Sequence, residues 1–525
     1  MISRRQIYTI LITVAAALVF GRILAVNRTD TLLLQQYRFA QISKQLDEKE
    51  KRLRNKNTLS ESEIKTALEN TRKKLERDAR LETPVFSAND RSRWDTIRVL
   101  VEPDMRVKDS QGHTVWYAID KVQNEKNWDT IDMVKHTGHL YSSKPPLLPT
   151  VMAFPYYCLY QGSGQHWSLG KTPFLVVRIM LVLCNLIPLI ICWILLAILI
   201  ERFGTTDWGR VFTMTFVCFG TFISTFAVTL NNHLPAVFCI TAALYCTVRL
   251  TQDDLPLTAT KRRIGYYAAA GFFSACAAAC ELPALLFCVL IVALLLLGRK
   301  TCGMPCPDRI RTAGIRIAEV IAAFVGIAAV AGAFFVTNYA AHSTCLPAYS
   351  QKDWYIFEYE RGGVARQSYW QNPSEIDKGE ASRAMYVLHC TLGHHGLFSL
   401  TPVWILSFTG LFFWLCNGKY RFLAAMILST SAAVFAFYMV QEQPNRNYGG
   451  MTSALRWIFW LMPLWCVPLV SAADWCSRTR LKRAAALLCL AVSVMSAAYP
   501  VWNPWTHPWL YNLVCSPVFT AVYQY

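Results

Sequence analysis

Charge is scarce in this sequence of 525 residues. Charged residues make up only 16% of the chain, against about 25% in an average soluble domain. Hydrophobic residues make up 54%, and apolar runs of roughly 18 residues or more recur, each long enough to cross a bilayer core of about 30 Å. This composition excludes an ordinary soluble protein. It predicts an all-α polytopic membrane protein with about 11–13 transmembrane helices.

Two kinds of motif are also missing. The sequence has no Gly-rich phosphate loop of the GxGxxG or Walker A type, so a nucleotide substrate is not expected. The 18 cysteines mostly lie inside apolar runs, where a thiol behaves as a small hydrophobe. Cys302 and Cys306 are separated by three residues and have no matching second pair, which argues against a structural zinc site. Cys345 and Cys390 share one predicted external loop, and a disulfide between them is left open.

The positive charge of the sequence is explained by its membrane topology. A net charge of +18 would suggest nucleic acid in a soluble protein, but here lysine and arginine collect in short loops, as cytoplasmic loops do. No nucleic-acid partner is expected. The basic loops near Arg249–Arg263, Arg299–Arg316, Lys419–Arg421 and Arg478–Arg483 are therefore placed in the cytoplasm.

The same orientation divides the chain into segments. The first apolar run, Ile7 to Val26, follows Arg4 and Arg5 without a small-residue cleavage site after Ala25, so it is expected to be a retained span rather than a signal peptide. The predicted segments are a first transmembrane helix at 1–26, an external charged helical hairpin at 27–82, an external loop with juxtamembrane amphipathic helices at 83–146, a first part of the transmembrane bundle at 147–337, an external loop at 338–397, a second part of the bundle at 398–500, and a C-terminal tail at 501–525. Residues 147–161 are expected to form a short, proline-interrupted or partly re-entrant helix. The other predicted spans cover 173–200, 209–228, 233–250, 264–280, 282–298, 316–337, 398–416, 422–440, 455–472 and 484–500.

Two polar segments precede the bundle. Residues 29–82 have helical periodicity, and a second helix is predicted to begin at Ser60, where Ser60 and Glu63 form a capping box and Leu59 and Ile64 a hydrophobic staple. This hairpin is either a solvated spacer or an arm that binds a partner. In residues 83–143, tryptophans alternate with charges, which is typical of an external platform of amphipathic helices in the headgroup layer.

Two motifs resemble those of a known family. Asn89-Asp90-Arg91-Ser92-Arg93-Trp94 follows the first span and the charged segment, and Lys144-Pro145-Pro146-Leu147 opens the next helix. The two prolines fix φ and remove two donors, so they can begin a helix but not continue one. This arrangement resembles the GT-C superfamily of membrane glycosyltransferases, especially the branch of protein O-mannosyltransferases and lipid A aminoarabinose transferases (family 39-like). Arg91 replaces the usual glutamate, and the charged insertion at 29–82 also departs from that pattern.

The resemblance implies a function and a site. The enzyme would transfer a sugar, with inversion, from a polyprenyl-phosphate donor to an acceptor hydroxyl of a glycan, lipid or protein on the outer face of the membrane. Asp90 would be the general base and Lys144 would bind the donor phosphate. Ionisable and amide side chains predicted at the same membrane side complete the expected site: Arg91, Arg93 and Arg446 for the phosphate, and Asn232, His233, Glu281, His394, His395 and Tyr448 for the acceptor or sugar. No metal ligands are assigned, and a divalent ion is left open as a cofactor. The expected location is a bacterial inner membrane, with the site facing the periplasm.

Other interpretations stay open at this stage. Asp90 also fits a helix N-cap, and Lys144 fits an interfacial lysine that extends towards water. The polar residues could line the pathway of a transporter or lipid flippase, although they lie at span ends and no internal repeat is evident. The charged hairpin could instead make the protein a membrane scaffold without catalytic activity.

Overall fold

The computed structural model describes residues 3–25, 32–55, 60–79, 83–125, 127–251, 259–297, 309–501 and 503–515. Within these ranges, eight helices are long and apolar enough to cross a membrane, and the only sheets are three two-stranded hairpins. The eight are Arg4–Ala25, Pro173–Phe203, Asp207–Val228, His233–Thr251, Ile317–His342, Arg421–Met439, Arg456–Cys476 and Arg480–Ala498, and two shorter apolar helices are Leu282–Leu296 and Val403–Cys416. The chain is therefore an all-α polytopic membrane protein, as predicted.

Two more helices pack in the bundle without meeting that criterion. Thr260–Cys280 lies between His233–Thr251 and the long helix Arg309–His342. A Cβ at Gly271 would collide with the backbone carbonyl of Ala323, so the small residue lets the two backbones approach closely. Leu147–Gly162 has 16 residues and contains Pro155. At about 24 Å it is shorter than the bilayer core, in keeping with the expected short helix.

The predicted span 209–228 is not a continuous α-helix. It consists of the α-helix Asp207–Thr215, a π-helical turn Phe216–Gly220 and a 3₁₀ turn Thr225–Val228. Asn185, in a π-helical turn of the preceding span, donates hydrogen bonds to the carbonyls of Ala227 and Thr229, each at 2.9 Å. Irregular backbone at membrane depth needs such partners. Apolar composition alone did not reveal the break.

The segment 83–146 differs from the predicted layer of amphipathic surface helices. Its one long helix, Ala88–Val101, buries ten of its 14 residues, including charged ones. The rest contains strands and short turns: Pro103–Met105, Val107–Lys108 paired with Thr114–Val115, Asp120–Gln123, and Met133–His136 paired with His139–Ser142. Thr137 and Gly138 both have positive φ, as a two-residue hairpin turn requires. Trp94 and Trp128 of this segment are buried, whereas Trp116 is 48% exposed.

The charged segment forms two helices, Leu32–Arg54 and Glu61–Ala79, that contact each other. The capping box is present: the Ser60 amide donates to Glu63 Oε2 at 2.8 Å, and the Glu63 amide donates to Ser60 Oγ at 3.4 Å. Leu59, the other half of the staple, lies outside the described residues, as do Cys302 and Cys306.

The long loop after His342 covers residues 343–396 and is folded. Its elements are the turns Ala348–Ser350, Lys352–Tyr355, Tyr369–Gln371 and Glu375–Lys378, the strands Glu358–Arg361 and Val364–Gln367, and the helix Arg383–Thr391. Cys345 is exposed, whereas Cys390 is buried in that last helix, and both are free thiols. The disulfide considered from the sequence is therefore not formed.

The remaining short elements are Leu282–Ala284, Leu397–Leu400, Gln443–Asn445, the 3₁₀ turn Arg456–Leu461 that begins one span, and Trp509–Val514.

Candidate functional site

A cavity of about 480 Å³ lies at the end of the bundle where the motif Lys144-Pro145-Pro146 begins a helix. Such a volume is within the usual range for small-molecule sites. Its walls come from residues 86–91, the 131–144 hairpin, the 343–396 loop and the segments 447–457 and 503–505. The lining residues are Phe86, Ser87, Ala88, Asn89, Arg91, Ile131, Asp132, Lys144, Trp370, Asp377, Asn447, Gly449, Gly450, Met451, Arg456, Trp457, Asn503 and Trp505.

The charged lining residues are three cations, Lys144, Arg91 and Arg456, and two carboxylates, Asp132 and Asp377. Lys144 Nζ lies 3.1 Å from Asp132 Oδ2. The hairpin makes this pair, because Met133 is opposite Ser142 and the Ser143 amide donates to the Asp132 carbonyl at 3.1 Å. The cavity therefore has an excess of one positive charge.

Arg456 is fixed on several sides. Its Nε donates to the Gly449 carbonyl, Nη1 lies 3.2 Å from His233 Nε2, and its guanidinium carbon lies 4.9 Å from the centre of the Trp505 ring. Gly449 has φ +98°, and a Cβ there would lie 2.8 Å from the Arg456 Cγ. Glycine is needed at 449 both for its backbone conformation and to make room for the arginine.

A buried hydrogen-bonded chain lies behind Arg456. Arg93 donates from Nη2 to Asn232 Oδ1 at 2.6 Å, and Asn232 Nδ2 donates to Glu281 Oε1 at 2.7 Å. Glu281 Oε1 also bonds His233 Nδ1, and the other ring nitrogen of His233 meets Arg456. Arg93, expected at the phosphate, and Asn232, His233 and Glu281, expected at the acceptor or sugar, are thus brought together, but they support the cavity from behind and do not line it.

The cations are crowded. Burial lowers the pKa of the Lys144 ammonium, the neighbouring Arg93 and Arg456 lower it further, and Asp132 opposes them. Burial also lowers the pKa of Arg93, to about 10. The three cations of the described lining are only partly exposed and outnumber its two carboxylates. This favours an anionic ligand, because a nearby anion stabilises the charged forms of lysine and arginine.

Asp90 does not lie in the cavity wall. Its side chain is 1% exposed. Its Oδ2 accepts the Phe86 amide and its Oδ1 the Leu230 amide, both at 3.1 Å. The helix N-cap is Ser87, not Asp90. The expectation that Asp90 and Lys144 face one hollow is thus wrong for Asp90, because its carboxylate is used to join the start of helix Ala88–Val101 to the end of the broken span.

The buried Asp90 gives a pH-dependent prediction. Burial raises its pKa to about 6, above the unfolded value of about 3.9. As pH rises, the unfolded state loses its proton first. The protonated carboxyl of Asp90 therefore contributes its full stabilisation of the folded protein below about pH 4, and this contribution is lost as pH rises above about 6. Asp90→Asn cannot titrate. The difference in free energy of unfolding between Asp90→Asn and wild type should shift in favour of the variant by about 2 kcal/mol between pH 4 and pH 7. Denaturant unfolding of both proteins in detergent measures this; a difference that stays constant with pH contradicts it.

Asp377, the second cavity carboxylate, accepts hydrogen bonds from two neutral side chains. Its Oδ1 accepts from Asn447 Nδ2 at 2.9 Å, and its Oδ2 accepts from the Tyr369 hydroxyl at 3.1 Å. Burial raises its pKa, and these two hydrogen bonds partly oppose the rise. It therefore combines access to the cavity with a pKa closer to neutrality, two properties of a general base.

The remaining predicted residues lie elsewhere. Arg446 Nη1 donates to the Ala381 carbonyl at 3.0 Å and does not line the cavity. His394 and His395 meet through their Nδ1 atoms at 2.5 Å, and His395 stacks on Tyr448 with ring centres 4.5 Å apart. This is a separate aromatic cluster. The assignment of Arg446, His394, His395 and Tyr448 to the same pocket as Lys144 is therefore corrected. A predicted location on the same side of the membrane was not enough to place these four side chains in one pocket with Lys144.

Several cavity residues were not assigned from the sequence: Asp132, Asp377, Asn447, Trp370, Trp457 and Trp505. The position of Asp132 beside the Lys144 motif could have been predicted from the sequence. A hairpin centred on Thr137-Gly138 pairs residues counted outward from the turn, which places 132 beside 143. Asp377 carries no comparable local signal. Across the described ranges, no group of three or more His, Cys, Asp or Glu side chains is arranged to hold a metal ion.

The sequence matches no family model and no curated protein sequence. The fold is similar to solved structures of the oligosaccharyltransferase of Archaeoglobus fulgidus. The apo form is 11% identical over 83% of this chain and 55% of that chain, with a TM-score of 0.44. The complex of the same organism's oligosaccharyltransferase AglB with an inhibitory peptide and a dolichol-phosphate is 11% identical over 81% and 53%, with a TM-score of 0.42. The chain spans about half the length of these proteins.

Proposed function

We propose that this protein is a membrane glycosyltransferase that uses a polyprenyl-phosphate sugar as donor. The observation that carries the proposal is the cavity itself, which joins a group of neighbouring cations to a separate, partly buried carboxylate at the end of a membrane bundle. A lipid phosphate supplies the anion that the cations favour, and its chain can remain in the bilayer while its head group enters the cavity.

The donor phosphate binds to Lys144 and Arg456. Arg91, whose Nε donates to the Asp129 carbonyl at 2.5 Å, adds a third positive charge at the wall. Arg93 acts through Asn232, Glu281 and His233 and holds Arg456 in place. Charge-assisted hydrogen bonds to phosphate are roughly twice as strong as neutral ones. These residues stabilise the negative charge that develops on the leaving phosphate oxygen.

The reaction is a single displacement. The acceptor hydroxyl oxygen forms a bond to the anomeric carbon, and the bond from that carbon to the phosphate oxygen breaks. The electron pair leaves with the polyprenyl phosphate, and the hydroxyl proton passes to a carboxylate. Attack opposite to the leaving group inverts the anomeric centre. A divalent ion remains part of the proposal only as an unassigned aid to the phosphate.

We assign the base to Asp377 rather than to Asp90. Asp377 lines the cavity and has neutral hydrogen-bond partners. Asp132 also lines it but is paired with Lys144, so it balances the phosphate-binding cations. Asp90, with both oxygens bonded to backbone amides, positions residues 86–91.

The cavity end is proposed to face the periplasm. Lys261 and Arg262 begin the helix that ends at Cys280, beside Glu281, and Arg480, Lys482 and Arg483 begin the helix Arg480–Ala498. These basic residues lie at helix ends away from the cavity, and such residues favour the cytoplasmic side.

Equilibrium binding tests the donor assignment. Purified protein in nanodiscs is titrated with radiolabelled polyprenyl phosphate and with the uncharged polyprenol of the same length. We expect the phosphate to bind at least about tenfold more tightly, with an affinity that falls as salt rises. Equal affinity for the two lipids would overturn the proposal, because the cations would then contribute nothing.

A further inference from the structure

Among the residues that the structure describes, three tryptophans line the same cavity: Trp370, Trp457 and Trp505. Phosphate binding and proton transfer do not require them. Aromatic rings in a cavity of this size provide large, rigid apolar surfaces. Their presence beside charged groups indicates a ligand with both a polar and an apolar face.

The rings are held in place by contacts at their edges or on one face. Trp370 Nε1 donates to the Ile131 carbonyl at 2.9 Å, which ties the 343–396 loop to the 131–144 hairpin. Trp457 stacks on Tyr438 with ring centres 4.7 Å apart and planes at 15°. Two rigid aromatic walls are therefore preorganised, so ligand binding loses little conformational entropy in ordering these side chains.

Trp505 has a different role. The Arg456 guanidinium lies 4.9 Å from its ring centre, and its Nε1 lies 3.3 Å from Thr229 Oγ1. It belongs to the phosphate-binding part of the cavity through this cation–π contact. Of the described tryptophans in the lining, Trp370 and Trp457 are then left for the rest of the ligand.

Hydrogen-bonding groups lie on the same walls. Asn447 and Asp377 line the cavity together with the two tryptophans, and Asn503 joins them. Amide and carboxylate groups can bind hydroxyls at the rim of a sugar ring while an indole covers its C–H face. A flat ring with equatorial hydroxyls and axial C–H groups matches this combination.

We infer that Trp370 and Trp457 form a binding site for a pyranose, so the transferred group is a six-membered sugar ring. The inference rests on the proposed function and specifies its substrate class. A chair pyranose presents several axial C–H groups on one face, which an indole can cover. A furanose is smaller and puckered and presents no comparable face.

The test compares three ligands on one polyprenyl chain: the bare phosphate, a phosphate-linked hexopyranose and a phosphate-linked pentofuranose. Binding is measured to wild type, Trp370→Leu, Trp457→Leu and the matched Phe variants, which keep an aromatic ring. Trp116→Leu, at an indole that is 48% exposed and outside the cavity lining, is the control. Wild type should bind the pyranose lipid more tightly than the bare phosphate.

In each Leu variant this preference should fall roughly three- to tenfold, while affinity for the bare phosphate stays within about twofold. The Phe variants and Trp116→Leu should retain the preference. Two outcomes overturn the inference alone: an unchanged preference in both Leu variants, or an equal preference of wild type for the furanose. If wild type fails to bind even the bare phosphate, the proposed function fails first and the pyranose site falls with it.

Discussion

Lys144→Met should reduce the affinity for polyprenyl phosphate at least about thirtyfold. Lys144 lines the cavity, partly exposed and close to other cations, so the variant removes the proposed phosphate contact and leaves Asp132 without its partner. Loss of one member of a buried charge pair costs about 2 kcal/mol or more, which is about thirtyfold. Equilibrium binding of the radiolabelled lipid phosphate in nanodiscs measures the change.

Two variants separate binding from folding. Lys144→Met with Asp132→Asn removes both charges of the pair; it should fold and still bind weakly, because the cation is missing. Lys121→Met removes an exposed lysine whose Nζ donates to the Asp104 carbonyl outside the cavity lining, and should bind as wild type does. Retention of full affinity by the folded Lys144 variants would show that the phosphate binds elsewhere.

Asp377→Asn should lower the rate of sugar transfer by about 10² to 10⁴ while donor binding stays unchanged. An amide cannot accept the acceptor proton, and general base catalysis contributes about this much. Because burial raises the pKa of Asp377, wild-type transfer should also decline on acidification at a higher pH than an ordinary aspartate with a pKa of about 3.9 would give. Single-turnover transfer with a polyprenyl-phosphate sugar measures both effects.

Asp353→Asn is the matched control, since Asp353 is an exposed aspartate of the same long loop. It should transfer at the wild-type rate. The informative contrast is with Asp90→Asn, for which we expect an effect on stability larger than any effect on the chemical step. If Asp90→Asn abolishes transfer in a folded protein and Asp377→Asn does not, the base is Asp90, and the cavity must rearrange to expose it.

The sequence predicted the parts of this molecule that depend on local patterns. Apolar runs predicted the polytopic bundle, and the Ser60–Glu63 spacing predicted a helix start that the structure confirms. The Lys144 motif predicted a fixed cation at the start of a short helix, and Lys144 does line the cavity. In each case, residues within a few positions of one another determine the result.

The failures involve long-range contacts. Asp90 satisfies the backbone amide of Leu230, 140 positions away, and no pattern near Asp90 indicates that contact. Asp377 reaches the cavity because a 54-residue loop folds back over it, held by Asn447 and by the Trp370–Ile131 hydrogen bond. The histidines at 394 and 395 share a membrane side with His233 in the predicted topology, yet side-chain packing puts them in a separate cluster.

The fate of the donor distinguishes a transferase from a flippase most directly. Proteoliposomes containing wild type, Lys144→Met or Asp377→Asn are incubated with labelled polyprenyl-phosphate pyranoses and candidate acceptors, and free polyprenyl phosphate is quantified. The proposed chemistry requires stoichiometric release of polyprenyl phosphate with glycosylated acceptor by wild type, and strongly reduced release by both variants. Intact donor that binds, or crosses the bilayer, without any cleavage would show that this cavity handles a lipid phosphate but transfers no sugar.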